Sequence, residues 1–226
     1  MEFGVQFHPD KFYDQIAQQG VSIKWERASR CGCYDPDTRQ PNVSCLFCYG
    51  RGWLYSEPYP DDDIKAIISG VTGKKEFMEL GGIVVGDCTM TLHPKYRIGE
   101  RDRISLLEST FRDNMLFIRG ESDTFHFPAS SLISLIELRQ YETLYAVDED
   151  YTLQDGRIVW EEDKGPADGE VYSALYLRHP LYYVYTELPL IRREIYVREK
   201  KTTKELPSRC LIRLEQFFNE SEVVFG

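Results

Sequence analysis

The 226-residue chain contains no apolar run near the roughly 20 residues that a membrane-spanning helix needs, and 28% of its residues are charged. It reads as a soluble protein with no membrane partner. Histidine is scarce: His8, His93, His126 and His179 are all there is, and none belongs to an H-E-x-x-H pair. Three of them precede proline, which suits turns or strand ends, while His126 lies between Phe125 and Phe127 and reads as a sheet residue. There is no G-x-S-x-G elbow of the kind that exposes a nucleophilic serine. The stretch Gly70-Val71-Thr72-Gly73-Lys74-Lys75 misplaces the first glycine of a phosphate loop. It also puts Lys75 where a magnesium-binding Ser or Thr is required, so it reads as a hairpin turn. Met1-Glu2-Phe3-Gly4 lacks the basic and apolar regions of a secretory signal, and no internal repeat or low-complexity segment is present. Positive charge is also short: 27 Lys and Arg face 37 Asp and Glu, a formal charge of −10, so a phosphate backbone would be repelled over most of the surface. These absences leave no motif on which to rest catalysis, and the expectation is a protein that is not an enzyme.

Aromatic residues, in contrast, are plentiful, with 15 Tyr and 12 Phe falling mostly in alternating runs. Alternation favours strands, and the rings can serve either a β core or an interface. The expected fold is mainly β: a small β barrel with an additional β hairpin or sandwich-like insertion, preceded by an N-terminal helix and a zinc ribbon. The helix starts at Pro9-Asp10, places Phe12, Tyr13, Ile16 and Ala17 on one face and stops at Gly20. Val21 to Trp25 and Trp53 to Tyr55 read as the two strands of the ribbon, entering and leaving the cysteine region. Residues 1–63 form this first module, closed by Pro58, Pro60 and a solvated acidic run, Asp61-Asp62-Asp63. Residues 64–140 form the barrel, with strands at Ile64 to Val71, Gly82 to Leu92, Arg103 to Leu107, Met115 to Ile118 and Thr124 to Phe127. Ser131 to Tyr145 fits either period, and its continued alternation favours a strand. Residues 141–190 form the insertion, where Asp155-Gly156 marks a type I′ turn between Asp150–Leu153 and Arg157–Trp160, followed by strands at Val171 to Leu177 and Tyr182 to Leu188. Residues 191–226 return to the barrel through Arg192 to Val197 and Cys210 to Leu214.

The densest chemical pattern is Cys31-x-Cys33 and, after eleven intervening residues, Cys45-x-x-Cys48. Two short chelating pairs separated by a loop can close four bonds on one tetrahedral ion, and thiolate sulfur suits zinc. The loop carries the turn formers Asp35-Pro36-Asp37 and Gln40-Pro41-Asn42, and Gly50 and Gly52 follow the second pair. The alternatives are a disulfide pair or thiols with no common role, but without export the chain meets a reducing cytosol, where this spacing reads as metal. Four thiolates leave no open position, so the zinc would be structural. Cys88 and Cys210 stand alone in apolar surroundings and read as small buried hydrophobes. A basic cluster, Arg192, Arg193, Arg198, Lys200, Lys201 and Lys204, reads as a solvated loop or as an electrostatic contact with the acidic segments Asp148 to Asp150 and Glu161 to Asp163 of another copy.

The cysteine segment from Arg30-Cys31-Gly32-Cys33-Tyr34-Asp35-Pro36 through Cys45-Leu46-Phe47-Cys48-Tyr49-Gly50-Arg51-Gly52-Trp53-Leu54-Tyr55 resembles a module in structural proteins of the tailed-bacteriophage head-to-tail junction. Gly99-Glu100-Arg101-Asp102-Arg103-Ile104 is similar in kind to the small barrels of phage stopper and neck proteins. The resemblance implies a virion part assembled in the host cytoplasm: a homo-oligomeric ring between portal or adaptor on one side and tail on the other. Such a ring helps retain the packaged DNA and touches it passively through an acidic lumen, and no catalytic or cofactor-binding residue carries over. Cys45 to Gly52 also fits, once, the C-x-x-C-x-G-x-G unit that DnaJ-type chaperones repeat, which makes a zinc-bearing chaperone-like or protein-binding module the alternative. A β enzyme with an unrecognised site is the other.

Overall fold

Period-two alternation produces strands along most of the chain, and the computed structural model describes residues 9–38, 40–60, 64–70, 86–187, 194–197 and 202–217. They divide into two units, Met1–Leu106 joined by Leu181–Gly226, and Leu107–Pro180. The first unit opens with α1 (Pro9–Gln19), whose Ile16 is buried. The helix stops at Gly20, which donates its N–H to the Ile16 carbonyl at 2.9 Å. A Cβ at Gly20 would collide with that carbonyl and sit 3.0 Å from the Ala66 nitrogen, so only glycine lets the chain turn this close to its neighbour. There follow β1 (Val21–Glu26), β2 (Ala28–Arg30), β3 (Trp53–Tyr55), β4 (Ile64–Gly70), β5 (Asp87–Leu92) and β6 (Arg103–Leu106). The second unit supplies β7 (Phe111–Ile118), β8 (Leu132–Gln140), β9 (Thr143–Tyr145), β10 (Tyr151–Gln154), β11 (Arg157–Trp160) and β12 (Val171–Arg178). The chain then re-enters the first unit as β13 (Leu181–Glu187), β14 (Glu194–Val197), β15 (Thr202–Glu205) and β16 (Ser208–Leu214).

Six of these strands close a barrel in the order β1-β4-β5-β16-β13-β6, with β6 pairing back onto β1 and every pair antiparallel. Its interior holds Ile23, Trp25, Ile64, Met90, Leu92, Ile104, Val184 and Ile212. Trp25 is 1% exposed, stacked on Tyr59 and met edge-on by Tyr96. Two buried ion pairs sit directly across neighbouring strands: Glu26 opposite Arg103, with contacts of 2.6 and 3.0 Å, and Asp87 opposite Arg213, with 2.7 and 3.2 Å. Slipping either register by one residue would turn a buried charge away from its partner, so both pairs select one alignment.

The second unit is an antiparallel sheet, β7-β12-β8-β9, with the separate hairpin β10-β11. One face of the sheet carries an aromatic core in which Phe117 stacks on Tyr172 at 5.5 Å and meets Phe125 edge-on at 5.0 Å, while Phe127 lies 5.3 Å from Tyr176. Asp155 and Gly156 both take positive φ, 47° and 75°, as a type I′ hairpin turn requires.

The barrel, the N-terminal helix and the cysteine ribbon appear as expected, but the strands are shared out differently. Val21 to Glu26 belongs to the barrel and not to the ribbon, whose two strands are β2 and β3. The segment after Leu106 leaves the barrel at once, so Met115 to Ile118 lies in the second sheet and the insertion spans 107–180 in place of 141–190. Thr124 makes one isolated bridge to Arg157, and residues 125–127 form no strand: the rings of Phe125 and Phe127 lie in the second core, and His126 between them is exposed. Alternation located these strands but carried no information about which neighbour each would pair with. Asp61 to Asp63, Val71 to Lys75 and the arginines and lysines at 192, 193, 198, 200 and 201 lie outside the described residues.

Candidate metal centre

The ribbon begins as a ladder in which Ala28, Ser29 and Arg30 face Tyr55, Leu54 and Trp53. Cys31 extends it, donating its N–H to the Gly52 carbonyl at 2.8 Å, so the first and last turns of the loop are held base to base. A tight turn follows as Tyr34 N–H reaches the Cys31 carbonyl at 3.1 Å. Tyr34 and Pro41 form an isolated bridge, and the Asn42 N–H returns to the Cys33 carbonyl at 3.3 Å. Inside the loop the Asp35 carboxylate accepts N–H groups from Asp37 at 2.8 Å and Thr38 at 3.3 Å, which holds it below the usual carboxylate range. Beyond the second pair, Tyr49, Gly50 and Gly52 have φ of 52°, 80° and 75°. A Cβ at Gly52 would lie 3.0 Å from that of Pro41, so this glycine serves both the left-handed turn and the close approach of the loop.

These turns gather the four sulfurs within 4.8 Å of one another. Cys31 and Cys45 are 3.8 Å apart and Cys33 and Cys48 are 3.4 Å apart, with all six cysteines of the chain free. Four thiolates bonded at about 2.3 Å to one tetrahedral ion would lie about 3.8 Å apart, so the cluster fits a single metal with little adjustment. Cys31 and Cys48 are buried and the other two are partly so. Donors converge on the sulfurs: the Gly52 N–H points at the Cys48 sulfur at 3.2 Å, and the N–H groups of Cys48 and Phe47 bring the Cys45 thiol down to about 6. Burial, reinforced by the neighbouring sulfurs, pushes Cys33 up to about 12. A metal would therefore meet Cys45 most readily as a thiolate and would displace the proton of Cys33. Among the described residues this is the one group of three or more His, Cys, Asp or Glu able to hold a metal ion.

The ribbon is fastened to the barrel by charge and rings. Arg101 lies over Trp53 at 5.7 Å and Arg103 over Tyr55 at 4.1 Å, while within the ribbon Arg30 lies over Tyr34 at 4.3 Å and Trp53 at 5.2 Å. Arg103 is buried, which works against its charge, but the hydrogen bond and negative charge of Glu26 outweigh that and raise its pKa. Asp102 is the pivot: its carboxylate accepts from the Trp25 indole at 2.7 Å, from Gly99 at 2.8 Å and from Ala28, the first ribbon residue, at 2.9 Å. The sequence shows Asp102 only as part of a turn before a strand. The long-range donors that give it a role, 77 and 74 positions away, leave no local signal.

Cys210 is buried in the barrel core and the half-buried Cys88 packs against it. His93 accepts the Lys95 N–H at 3.1 Å and lies against the Tyr13 ring, and burial lowers its pKa. His179 donates from Nδ1 to the Ser109 carbonyl at 2.9 Å. In the second unit a cavity of about 470 Å³ is lined by Arg119, Asp123, Arg157, Trp160 and Asp168 among others. Its central charges already have work within the fold. Arg119 holds the Lys164 and Pro166 carbonyls, and Asp123 accepts the Tyr172 hydroxyl at 2.6 Å and the Gly120 N–H at 2.8 Å. No helix among the described residues is long and apolar enough to cross a membrane. No protein-family model matches the chain, and no curated protein matches its sequence.

Proposed function

We propose that the protein is a structural assembly component whose ribbon is stapled by zinc, and that it serves as a ring-forming part of the head-to-tail junction of a tailed-phage virion. The observation that carries the assembly reading is the closed thiolate set: Cys31, Cys33, Cys45 and Cys48 supply four ligands, which fills a tetrahedral ion and leaves no position for water or substrate. Zinc is favoured because an all-sulfur tetrahedral donor set without redox demands suits it. The junction itself is supported by the resemblance of the cysteine segment and by the closed barrel on which the ribbon is mounted. Charge is compatible with it, since residues 107–180 hold 15 Asp and Glu against 6 Lys and Arg, a surface over which DNA slides without sticking. The neighbours in this reading are other copies in a ring, a portal or adaptor protein above and a tail protein below.

Elemental analysis of the purified chain should find one zinc per molecule. Chelation should speed hydrogen exchange across Ala28–Arg30 and Trp53–Tyr55 while the barrel strands stay protected. Metal-free protein with four freely reactive thiols and an unchanged exchange pattern would remove the zinc assignment. Electron microscopy and native mass spectrometry of the loaded protein test the ring, and a monomer at every concentration would count against it.

A further inference from the structure

The thiols of the ribbon meet across the loop. The Cys31 and Cys45 sulfurs lie 3.8 Å apart and those of Cys33 and Cys48 3.4 Å, so each sulfur of the first turn touches one of the second. Burial divides both pairs in the same way. Cys31 and Cys48 are 5% and 3% exposed, whereas Cys45 and Cys33 are partly open to solvent. Each pair therefore joins a sulfur that a small oxidant can reach to one that it cannot, the arrangement of an attacked thiolate beside a thiol that resolves it. Closing either contact to a bond of about 2.05 Å asks for a movement of less than about 2 Å.

We propose that the ribbon has a second, oxidised staple: a peroxide replaces the metal by two disulfides that cross the loop, Cys31 to Cys45 and Cys33 to Cys48. The metal-bearing state rests on the zinc assignment above, whereas the pairing rests on the sulfur positions alone. At each pair the accessible thiolate attacks a peroxide oxygen, the O–O bond breaks, and a sulfenic acid and a hydroxide form. The buried partner thiolate then attacks that sulfur, the S–S bond forms and a second hydroxide leaves. Four thiolates thus give four electrons to two hydrogen peroxide molecules, the hydroxides take up protons as water, and Zn²⁺ is released with its oxidation state unchanged. A local bridge inside Cys31-x-Cys33 would have to close over one residue, a short and stiff ring. One inside Cys45-x-x-Cys48 would leave the two turns unjoined. Bridges spanning 14 and 15 positions tie the turns together and take more freedom from the unfolded loop. The ladder of Ala28–Arg30 against Trp53–Tyr55 is then held without the metal. In the virion reading the switch has an occasion, since the chain folds in a reducing cytosol and is released into an oxidising medium.

The test treats the full zinc-loaded chain with hydrogen peroxide, beside a chelated and reduced sample, and follows released zinc with a chromogenic chelator. Two equivalents of peroxide should release one zinc per chain and lower the free thiols from six to two, Cys88 and Cys210. Trypsin cuts after Arg30, Arg39 and Arg51, which puts Cys31 and Cys33 on one peptide and Cys45 and Cys48 on the next. Without reductant, mass spectrometry should find peptides 31–39 and 40–51 joined and four hydrogens lighter than their summed masses, and fragmentation should place the bonds at 31 to 45 and 33 to 48. Hydrogen exchange across the two ribbon strands should be about tenfold slower in the oxidised protein than in the chelated one. Dithiothreitol with zinc should restore the starting state. Any other pairing, above all a Cys45 to Cys48 bridge that leaves the two peptides separate, would overturn the proposal. So would sulfinic acids, bridges between chains, or oxidised protein that exchanges as fast as the chelated sample. Zinc-loaded protein whose four thiols resist peroxide would sink the switch and leave the zinc assignment standing. A chain that holds no zinc yet forms both cross-loop bridges would sink the zinc assignment and support the pairing.

Discussion

Asp102 offers the sharpest test of how the ribbon is carried. It is 4% exposed, and one carboxylate serves three donors: the Trp25 indole, the Gly99 N–H and the Ala28 N–H. Asp102→Ala orphans all three. Trp25 is 1% exposed and water cannot reach its nitrogen, so it meets the full penalty of about 1–3 kcal/mol for a buried unsatisfied donor. Ala28 is half-buried and Gly99 is exposed, so water recovers part of their loss. Together the alanine variant should lose about 3–5 kcal/mol, counting the charge-assisted bonds at about 1.5–3 kcal/mol each before that recovery. Asp102→Asn keeps the shape and one oxygen. That oxygen best serves Trp25 and Gly99, leaving an amide NH₂ against the Ala28 N–H, and the loss should be about 1.5–3 kcal/mol. Denaturant unfolding at fixed zinc gives the two values, and hydrogen exchange adds a local signature. The Ala28 amide should exchange faster in both variants, and the Trp25 indole N–H only in the alanine one. An alanine variant within about 1 kcal/mol of the parent, or an asparagine variant as damaged as the alanine one, would refute the reasoning.

Gly165 and Gly169 make a matched pair, with φ of 85° and 83°. A Cβ at Gly165 would collide with the Trp160 ring and lie 2.5 Å from the Arg119 guanidinium, whereas nothing lies within 4 Å at Gly169. Gly169→Ala should cost only the left-handed strain of about 1–2 kcal/mol, and Gly165→Ala about 1–3 kcal/mol more, read by thermal unfolding; equal losses would refute the crowding. Alkaline titration should also divide the tyrosines. Burial and the Asp123 hydrogen bond raise Tyr172, and burial followed by Glu215 raises Tyr183. Their folded-state pKa values exceed the unfolded value of about 10, so the stability they contribute is whole below that pH and falls as pH rises through it. Phenolate absorbance should rise for the exposed rings first and for these two only as the fold is lost. A single smooth step in a protein that stays folded would contradict it.

Legibility in the sequence followed the range of each interaction. The four cysteines, the helix stopped by Gly20 and the Asp155-Gly156 turn were readable because their causes lie within a few residues. Strand existence was readable too, since alternation is local. Strand partnership was not. Trp53 to Tyr55 pairs with Ala28 to Arg30, but Val21 to Trp25 alternates more cleanly and drew the assignment away. The excursion at Leu107 was hidden for the same reason: β6 and β13 pair across 74 intervening residues, and nothing in either strand signals the other. The exposed tip was hidden differently. Leu46 and Phe47 look like core residues by type, and only the folded turn geometry shows that the cysteines, not they, occupy the interior of the loop.

That exchange of roles bears on why the apolar tip exists. Among the described residues between Gly32 and Gly52, Cys48 and Gly52 alone are buried, and β2 and β3 are three residues each. A loop with so little apolar burial cannot offset the roughly 1–2 kcal/mol of conformational entropy lost for each ordered residue. A bound structural zinc would contribute about 10–16 kcal/mol toward that cost. With a metal on the four thiolates, the exposed Leu46 and Phe47 would have no structural duty in the loop. Replacing Leu46 or Phe47 by a polar residue should then leave folding unchanged or improve solubility. Leu46 and Phe47 are each 82% exposed, and apolar side chains exposed together on one loop are the kind of feature that marks interaction sites. If instead Phe47→Asp unfolded the ribbon with zinc bound, the tip would be part of the fold and the case for an external partner would fail.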